Sequence, residues 1–344
     1  MKKIISVIVA VMVMTGSLSA CSNKSDNNAD TNKLQIVATI FPEYDWAKTI
    51  LGEKADQAEL TLLLDNGVDL HSYQPSIDDI LKISSCDLFI YVGGESDKWV
   101  DDALAQATNK NMIVLDLMDV LGDRVKNEEI VEGMEHEHEH EQDHGEDHEH
   151  DEDHDDDEDH DHEHEEELDE HVWLSLNNTM IICDKITESL TNLDKANADT
   201  YRSNAAAYKE KLTALDAQYK AVVNEASVKT LLFGDRFPFR YLTDDYDLNY
   251  YAAFTGCSAE TEASFETVIF LAEKVDELSL NSILTIEGSD KKIAETIRNN
   301  TSSKDQKILT LNSMQGITSK DIGNGVTYLS VMTENLDVLK NALK

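Results

Sequence analysis

Residues 34–40 read LQIVATI, a largely apolar run between polar neighbours. Short runs of this kind are typical of strands that are buried on both faces. Helix-like stretches follow at 44–50, 76–83 and 97–107. Three further strand-like runs separate them: ELTLLL at 59–64, DLFIYV at 87–92 and NMIVLDL at 111–117. Strands that alternate with helices predict a parallel sheet covered by helices.

The same alternation returns after residue 228. The strand-like runs are TLLFGD at 230–235, LNYYAAF at 248–254, NSILTIE at 281–287 and KILTL at 307–311. The helical stretches between and after them are 262–276, 290–300 and 327–343. We therefore predict an α/β fold with two lobes, at 33–195 and 227–344, each a parallel sheet flanked by helices.

A long helix is predicted between the lobes, over 199–225 within a linking segment at 196–226. Its apolar positions recur at steps of four and three, which places them on one helix face. They are Tyr201, Ala205, Tyr208, Leu212, Leu215, Tyr219 and Val222. Such a helix is roughly 40 Å long, enough to lie along both lobes. An ordinary core helix of one lobe is the alternative.

The first residues have the pattern of an export signal. Lys2 and Lys3 precede an apolar stretch at 4–14, and LSAC follows at 18–21. LSAC is similar to a bacterial lipobox, so we predict a signal peptide at 1–20 and a lipid on Cys21. An ordinary signal peptide or a short transmembrane helix is the alternative, but the apolar stretch is shorter than the ~20 residues of a membrane span. Polar residues at 21–32 predict a flexible tether, and hence an extracytoplasmic protein anchored to the cell membrane as a lipoprotein.

The chain is strongly acidic, with a formal net charge of −40. No basic stripe is present that could neutralise phosphates, so a nucleic-acid partner is not expected and a cationic partner is. Three cysteines remain beside Cys21, namely Cys86, Cys183 and Cys257. They cannot all pair within one chain, and without a CxxC spacing a zinc site built from several thiolates is not expected.

One segment, 135–167, is dominated by histidine and carboxylates. Since it has almost no apolar residue, we predict a disordered loop. Imidazole is a common ligand of zinc, so many copies predict an auxiliary metal-collecting loop. The nearby carboxylates raise histidine pKa values, and binding should be weak, multiple and pH-dependent. A solvated acidic linker is the alternative. The ten histidines are His136, His138, His140, His144, His148, His150, His154, His160, His162 and His164.

The two remaining histidines lie elsewhere. His71 lies in NGVDLHSYQPSIDD at 66–79, and His171 lies in DEHVWLSLNN at 169–178. Asp235 and Glu287 end two of the strand-like runs. Ligands of open α/β sheets collect beyond the carboxyl ends of strands, where His71, Asp235 and Glu287 fall, and His171 directly follows the metal-collecting segment. The four residues therefore form a coherent nitrogen and oxygen set for a tetrahedral metal site.

These motifs resemble a known family, the solute-binding lipoproteins of zinc and manganese ABC importers, called cluster A-I. GVDLHSYQPS resembles its G-x-D-P-H-x-Y-x-P-S segment, which gives His71 the role of first ligand. DEHVWL resembles D-P-H-x-W-L, which gives His171 the role of second ligand. The resemblance extends from Lys33 onward and includes the segment at 84–104. It implies a lobe-spanning helix, a monomer, and an ABC permease and ATPase as partners.

The C-terminal lobe matches the family pattern less closely. The third-ligand position falls on Arg236, whose guanidinium offers no lone pair, so Asp235 is the expected substitute. TIEGSDKKIAET at 285–296 resembles a zinc-type segment that supplies a glutamate, which assigns Glu287 as fourth ligand. Asp290 is the alternative, because manganese-type members use an aspartate a few residues further on.

The function implied is high-affinity capture of zinc between the lobes and its delivery to the permease. Manganese is the alternative ion, since two carboxylates make a harder site, and a surface metal buffer or adhesin without an import role is the alternative function. An enzyme is not expected, because no H-E-x-x-H, G-x-S-x-G or glycine-rich phosphate motif is present and four protein ligands would close the site.

Overall fold

The computed structural model describes residues 33–134, 167–258 and 262–344. These ranges contain two four-stranded sheets, in the orders β2-β1-β3-β4 and β6-β5-β7-β8, and every neighbouring pair is parallel. The predicted two-lobe α/β fold is confirmed. The strands are β1 Leu34–Ala38, β2 Ala58–Leu62, β3 Leu88–Tyr91, β4 Ile113–Asp116, β5 Thr230–Phe237, β6 Asn249–Thr255, β7 Ser282–Thr285 and β8 Lys307–Thr310.

Helices flank both sheets, and several begin where the sequence supplies an N-cap. Ser76, Ser264 and Thr327 each accept a hydrogen bond from the backbone N–H three residues later, which satisfies one free donor of the first turn. The α-helices are α1 Phe41–Leu51, α2 Ile77–Ser85, α3 Trp99–Ala105, α4 Leu117–Leu121, α5 Leu176–Leu193, α6 Ala198–Glu225, α7 Arg240–Asp245, α8 Phe265–Glu277, α9 Lys292–Asn300, α10 Ser319–Gly323 and α11 Tyr328–Ala342.

The long helix α6 contacts both lobes. Near its start Asn204 donates to the carbonyl of Ile50 in α1, and near its end the Tyr219 hydroxyl donates to the carbonyl of Met332 in α11. The predicted lobe-spanning helix is therefore confirmed. One detail differs, because Val223 is buried and Val222 is only partly buried. A period of 3.6 residues rotates the apolar face gradually, and by the last turn it has moved by one position.

One apolar cluster extends across both lobes, and a second lies within the C-terminal lobe. Trp173 and Tyr328 are fully buried at the contact, where the Tyr328 hydroxyl donates to the carbonyl of Trp173. The indole N–H of Trp173 donates in turn to the carbonyl of Ser313 in the C-terminal lobe. Because both polar groups of these large side chains have partners, the contact combines apolar burial with fixed geometry.

Several predicted segments lie outside the described residues. They are the signal peptide and tether at 1–32, including Cys21, and the histidine-rich segment at 135–166. These assignments, and the domain boundaries drawn from them, stay predictions. Within the described ranges, no helix combines the length and the apolar character that crossing a membrane requires.

Candidate metal site

His71 and His171 meet at the boundary between the lobes. His71 lies in a 3₁₀ turn, Leu70–Ser72, that follows β2, and His171 precedes a second 3₁₀ turn, Val172–Leu174. Their Nε2 atoms are 3.4 Å apart. His171 is fully buried, whereas the side chain of His71 is 13% exposed. The two histidines predicted from sequence are therefore brought to one point.

A carboxylate holds the imidazole of His171 from behind. Asp169 Oδ1 lies 3.0 Å from His171 Nδ1 and also accepts the backbone N–H of His171. Burial lowers the pKa of His171, but the carboxylates of Asp169, Glu170 and Glu128 together outweigh it and the net pKa is raised. The site has room for the ring only because residue 256 is glycine. A Cβ on Gly256 would lie 3.0 Å from His171 Cε1 and 2.9 Å from the carbonyl oxygen of Phe237.

His71 is oriented in a similar way. Its Nδ1 lies 2.8 Å from Ser96 Oγ and 3.4 Å from Glu170 Oε2. Glu170 is itself fixed, because its Oε1 accepts the backbone N–H of Ser96. Burial raises the pKa of Glu170, but the nearby His71 and the hydrogen bond from Ser96 outweigh it and hold the pKa below its ordinary value. Glu170 therefore provides a negative charge behind His71.

The two Nε2 atoms are arranged as ligands of one cation. When each Nδ1 donates to the oxygen that it faces, each Nε2 is left with a lone pair. In that tautomer the two lone pairs lie 3.4 Å apart, and a cation between them would be bound by both. Two imidazoles on a tetrahedral zinc, with Zn–N distances of 2.0–2.1 Å, have nitrogens about 3.3–3.4 Å apart. Carboxylates behind the ligating histidines are also usual at zinc sites.

The thiol of Cys257 completes a group of three. Ligand atoms of His71, His171 and Cys257 all lie within 4.8 Å of one another, and no other such group was found among the described residues. Cys257 follows β6, so it comes from the other lobe, and its backbone N–H donates to Glu128. Burial and the Glu128 carboxylate raise the pKa of the thiol, so a metal must displace its proton. Sequence reasoning missed this residue, and the only local signal was its position directly after a strand.

Asp235 does not belong to this group. It was expected to end a strand, but β5 continues to Phe237, with a shift in pairing between Phe233 and Arg236. The carboxylate accepts the backbone N–H groups of Arg236 and Ile286. Asp235 therefore links β5 to the segment after β7, and its role as third ligand stays a prediction.

Glu287 also uses its oxygens elsewhere. Its carboxylate accepts four hydrogen bonds from the loop that follows β8, from the backbone and hydroxyl of Ser313 and from the backbone N–H groups of Gln315 and Gly316. The alternative, Asp290, is an exposed group that pairs with Lys292. Glu287 lies close to the histidines through Gln315, whose side-chain nitrogen is 3.3 Å from His171 Nε2.

Arg236 pairs with a carboxylate of the other lobe, that of Asp69. The guanidinium lies 2.7 Å from Asp69 Oδ2, while Asp69 Oδ1 accepts the backbone N–H of His71. Burial raises the pKa of Asp69, but Arg236 and His71 together outweigh it and the net pKa is lowered. This ion pair therefore fixes the turn that carries His71. Both residues line a cleft of about 890 Å³ between the lobes, together with Asp235, Glu287 and Gln315.

The comparison with protein families agrees with this geometry. The profile of the family described as zinc-uptake complex component A, periplasmic, matches residues 36–342. The chain belongs to this family. The resemblance inferred from the two histidine motifs is confirmed.

Two curated relatives of the family are similar over most of this chain. The zinc-binding lipoprotein AdcA of Streptococcus pneumoniae serotype 4 is 32% identical over 346 residues, which cover 99% of this chain and 61% of AdcA. The high-affinity zinc uptake system protein ZnuA of Bacillus subtilis is 28% identical over 337 residues, which cover 98% of this chain and 96% of ZnuA. The chain spans 56–61% of the AdcA sequences that it matches.

A solved structure supports the fold of this family member. The Zn(II)-bound ZnuA-like domain of Streptococcus pneumoniae AdcA superposes with a TM-score of 0.66 at 28% identity. The match covers 90% of this chain and 99% of that domain. The two-lobed arrangement is thus shared with a domain that was crystallised with zinc.

Proposed function

We propose that this chain is the extracytoplasmic zinc-binding component of an ABC metal importer. It captures the ion between its lobes and delivers it to a permease that an ATPase drives. The single observation that carries the proposal is the pair of imidazole nitrogens 3.4 Å apart, each with an oxygen acceptor behind its ring. Family membership and zinc-binding relatives support the same conclusion.

In this proposal His71, His171 and Cys257 bind the ion. Two imidazoles and a thiolate are softer than the two-histidine, two-carboxylate set expected from sequence, and this softer set favours zinc over manganese. Asp235 and Glu287 support the elements around the site instead of contacting the ion. The lobes contribute unequally, with both histidines from the N-terminal lobe and the thiol from the C-terminal lobe.

The location proposed for the protein is the outer face of the cell membrane, with Cys21 as the lipid anchor. A relative named as a lipoprotein and the LSAC motif at 18–21 support it. The histidine-rich segment at 135–167 is proposed to collect zinc with low affinity and to raise its concentration beside the site. The family is a transport component, and we propose that this chain acts as a monomer without turnover of a substrate.

The test is metal binding by the metal-free protein. A competing chromophoric chelator should report one tight zinc per chain, and manganese should bind much more weakly. His71→Ala should abolish the tight equivalent without unfolding the protein, whereas His136→Ala, in the collecting segment, should leave it unchanged. Vesicles with the cognate permease and ATPase should take up zinc only with the wild-type protein. Unchanged tight binding by His71→Ala would overturn the proposal, and tight manganese with weak zinc would overturn its choice of ion.

A further inference from the structure

The loop after β8 places one more polar side chain against the histidines. Gln315 Nε2 lies 3.3 Å from His171 Nε2, and the same residue lines the cleft between the lobes. Its Oε1 is buried and has no hydrogen-bond partner among the described residues. A buried amide oxygen without a partner is costly, so its position needs a physical reason.

The backbone of this loop is held firmly from two sides. Glu287 accepts four hydrogen bonds from the loop, as described above, and one of them is the backbone N–H of Gln315 at 3.0 Å. From the other lobe, Trp173 donates its indole N–H to the carbonyl of Ser313 at 2.8 Å. Two fixed elements therefore position Gln315. Its amide is the part that can still turn, because the terminal torsion of a glutamine is soft.

Rotation of the amide exchanges the positions of Nε2 and Oε1. With Nε2 toward His171, the amide donates a hydrogen bond to the lone pair of His171 Nε2, the same lone pair that a bound cation would use. With Oε1 in the same place, an oxygen lone pair lies about 3.3 Å from His171 Nε2. That separation equals the about 3.3–3.4 Å expected between nitrogen and oxygen ligands of one tetrahedral zinc.

We propose that Gln315 is the fourth ligand of the ion and binds it through Oε1. In the metal-free protein its NH₂ group donates to His171, and it turns when zinc arrives from the cleft. This inference rests on the proposed zinc site and completes it as two imidazoles, one thiolate and one amide oxygen. Glu287, the expected fourth ligand, becomes the residue that positions Gln315.

The charge of the site follows from this ligand set. Zinc with one thiolate and three neutral ligands keeps a net positive charge, which Asp169 and Glu170 offset from behind the histidines. A carboxylate at position 315 would add a negative charge directly on the ion. Gln315→Glu should therefore bind zinc at least as tightly as the wild type, while Gln315→Ala should weaken zinc binding by more than about 100-fold.

The experiment uses full-length metal-free protein with zinc and with Co(II) as a spectroscopic probe. Chelator competition gives the zinc affinity, and visible absorption of bound Co(II) reports its ligands. We expect Gln315→Ala to lose affinity and to change the Co(II) bands, and Gln315→Glu to restore the affinity with a third, distinct spectrum. Gln218→Ala, which removes an exposed amide on α6, is the matched control and should behave as the wild type.

The outcomes separate this inference from the proposed function. If Gln315→Ala and Gln315→Glu both keep the affinity and spectrum of the wild type while His71→Ala loses zinc, Gln315 is not a ligand and the zinc site stands. If Gln315→Ala loses affinity but the Co(II) spectra of all variants are the same, the residue only supports the loop and the inference fails. If the wild-type protein binds no zinc tightly, the proposed function is wrong, and the inference about Gln315 is wrong with it.

Discussion

The sharpest prediction concerns Cys257, because sequence and structure indicate different third ligands. Cys257→Ala removes the only thiol of the three-residue group and leaves the two imidazoles in place. A tetrahedral zinc, with Zn–S near 2.3 Å, requires about 3.5 Å between Sγ and each Nε2. The described ligand atoms lie within 4.8 Å of one another, so the thiol reaches the ion with a shift of at most about 1.3 Å. Asp235→Asn, by contrast, alters only a link between β5 and the segment after β7.

The magnitude follows from ligand linkage. At free zinc about 1,000 times above its dissociation constant, the wild-type protein gains about 4.1 kcal/mol in its free energy of unfolding. Loss of a direct ligand should weaken binding by at least about 100-fold, beyond the range of a supporting residue. At the same zinc concentration the Cys257→Ala variant would then gain only about 1.4 kcal/mol. The expected difference is about 2.7 kcal/mol.

The assay is denaturant unfolding with and without buffered zinc, paired with chelator competition. Cys86→Ala is the matched control, since Cys86 is a buried free thiol whose Sγ donates to the carbonyl of Ile83. Its loss should lower the stability of the metal-free protein and leave the zinc increment unchanged. If Cys257→Ala retains the full increment while Asp235→Asn loses it, Asp235 is the third ligand and our reasoning is refuted.

The remaining predictions concern other residues and segments of the chain. Burial and the nearby Asp97 raise the pKa of Glu43 from 4.5 to about 8. As the pH rises between those values, the unfolding free energy of the metal-free protein should fall by up to about 1.4 kcal/mol per pH unit. Glu43→Gln should flatten that slope in denaturant titrations. Arg236→Ala should weaken zinc binding by less than about 100-fold, because Arg236 acts on the site only through its ion pair with Asp69. A larger loss of zinc affinity in competition titrations would contradict this prediction. Deleting 135–167 should remove several weak zinc equivalents and retain the tight one, as counted by equilibrium dialysis. Cys21→Ala should move the protein from the membrane fraction to the soluble extracytoplasmic fraction, and unchanged fractionation would exclude the lipid anchor.

Much of the fold could be predicted because local patterns determine it. All eight strands coincide with apolar runs that are visible in the sequence, although their ends differ by one or two residues. The helix α6 was visible in its steps of four and three, since burial along one face imposes that period on the residues. His71 and His171 stood out because they lie in motifs that a known family shares. In both cases the information lies within a short stretch of chain.

The two proposed ligands that no motif indicates depend on contacts between distant segments. Cys257 and Gln315 lie in no motif of the sequence, yet the end of β6 and the loop after β8 bring them to the two histidines. Asp235 and Glu287 are predicted ligands because each ends an apolar run, and that assignment stays a prediction, while the structure shows backbone N–H groups that donate to both carboxylates. Sequence shows which side chains can bind a metal. Whether a carboxylate is free to do so depends on which hydrogen-bond donors the folded chain places around it, and only the tertiary structure determines that.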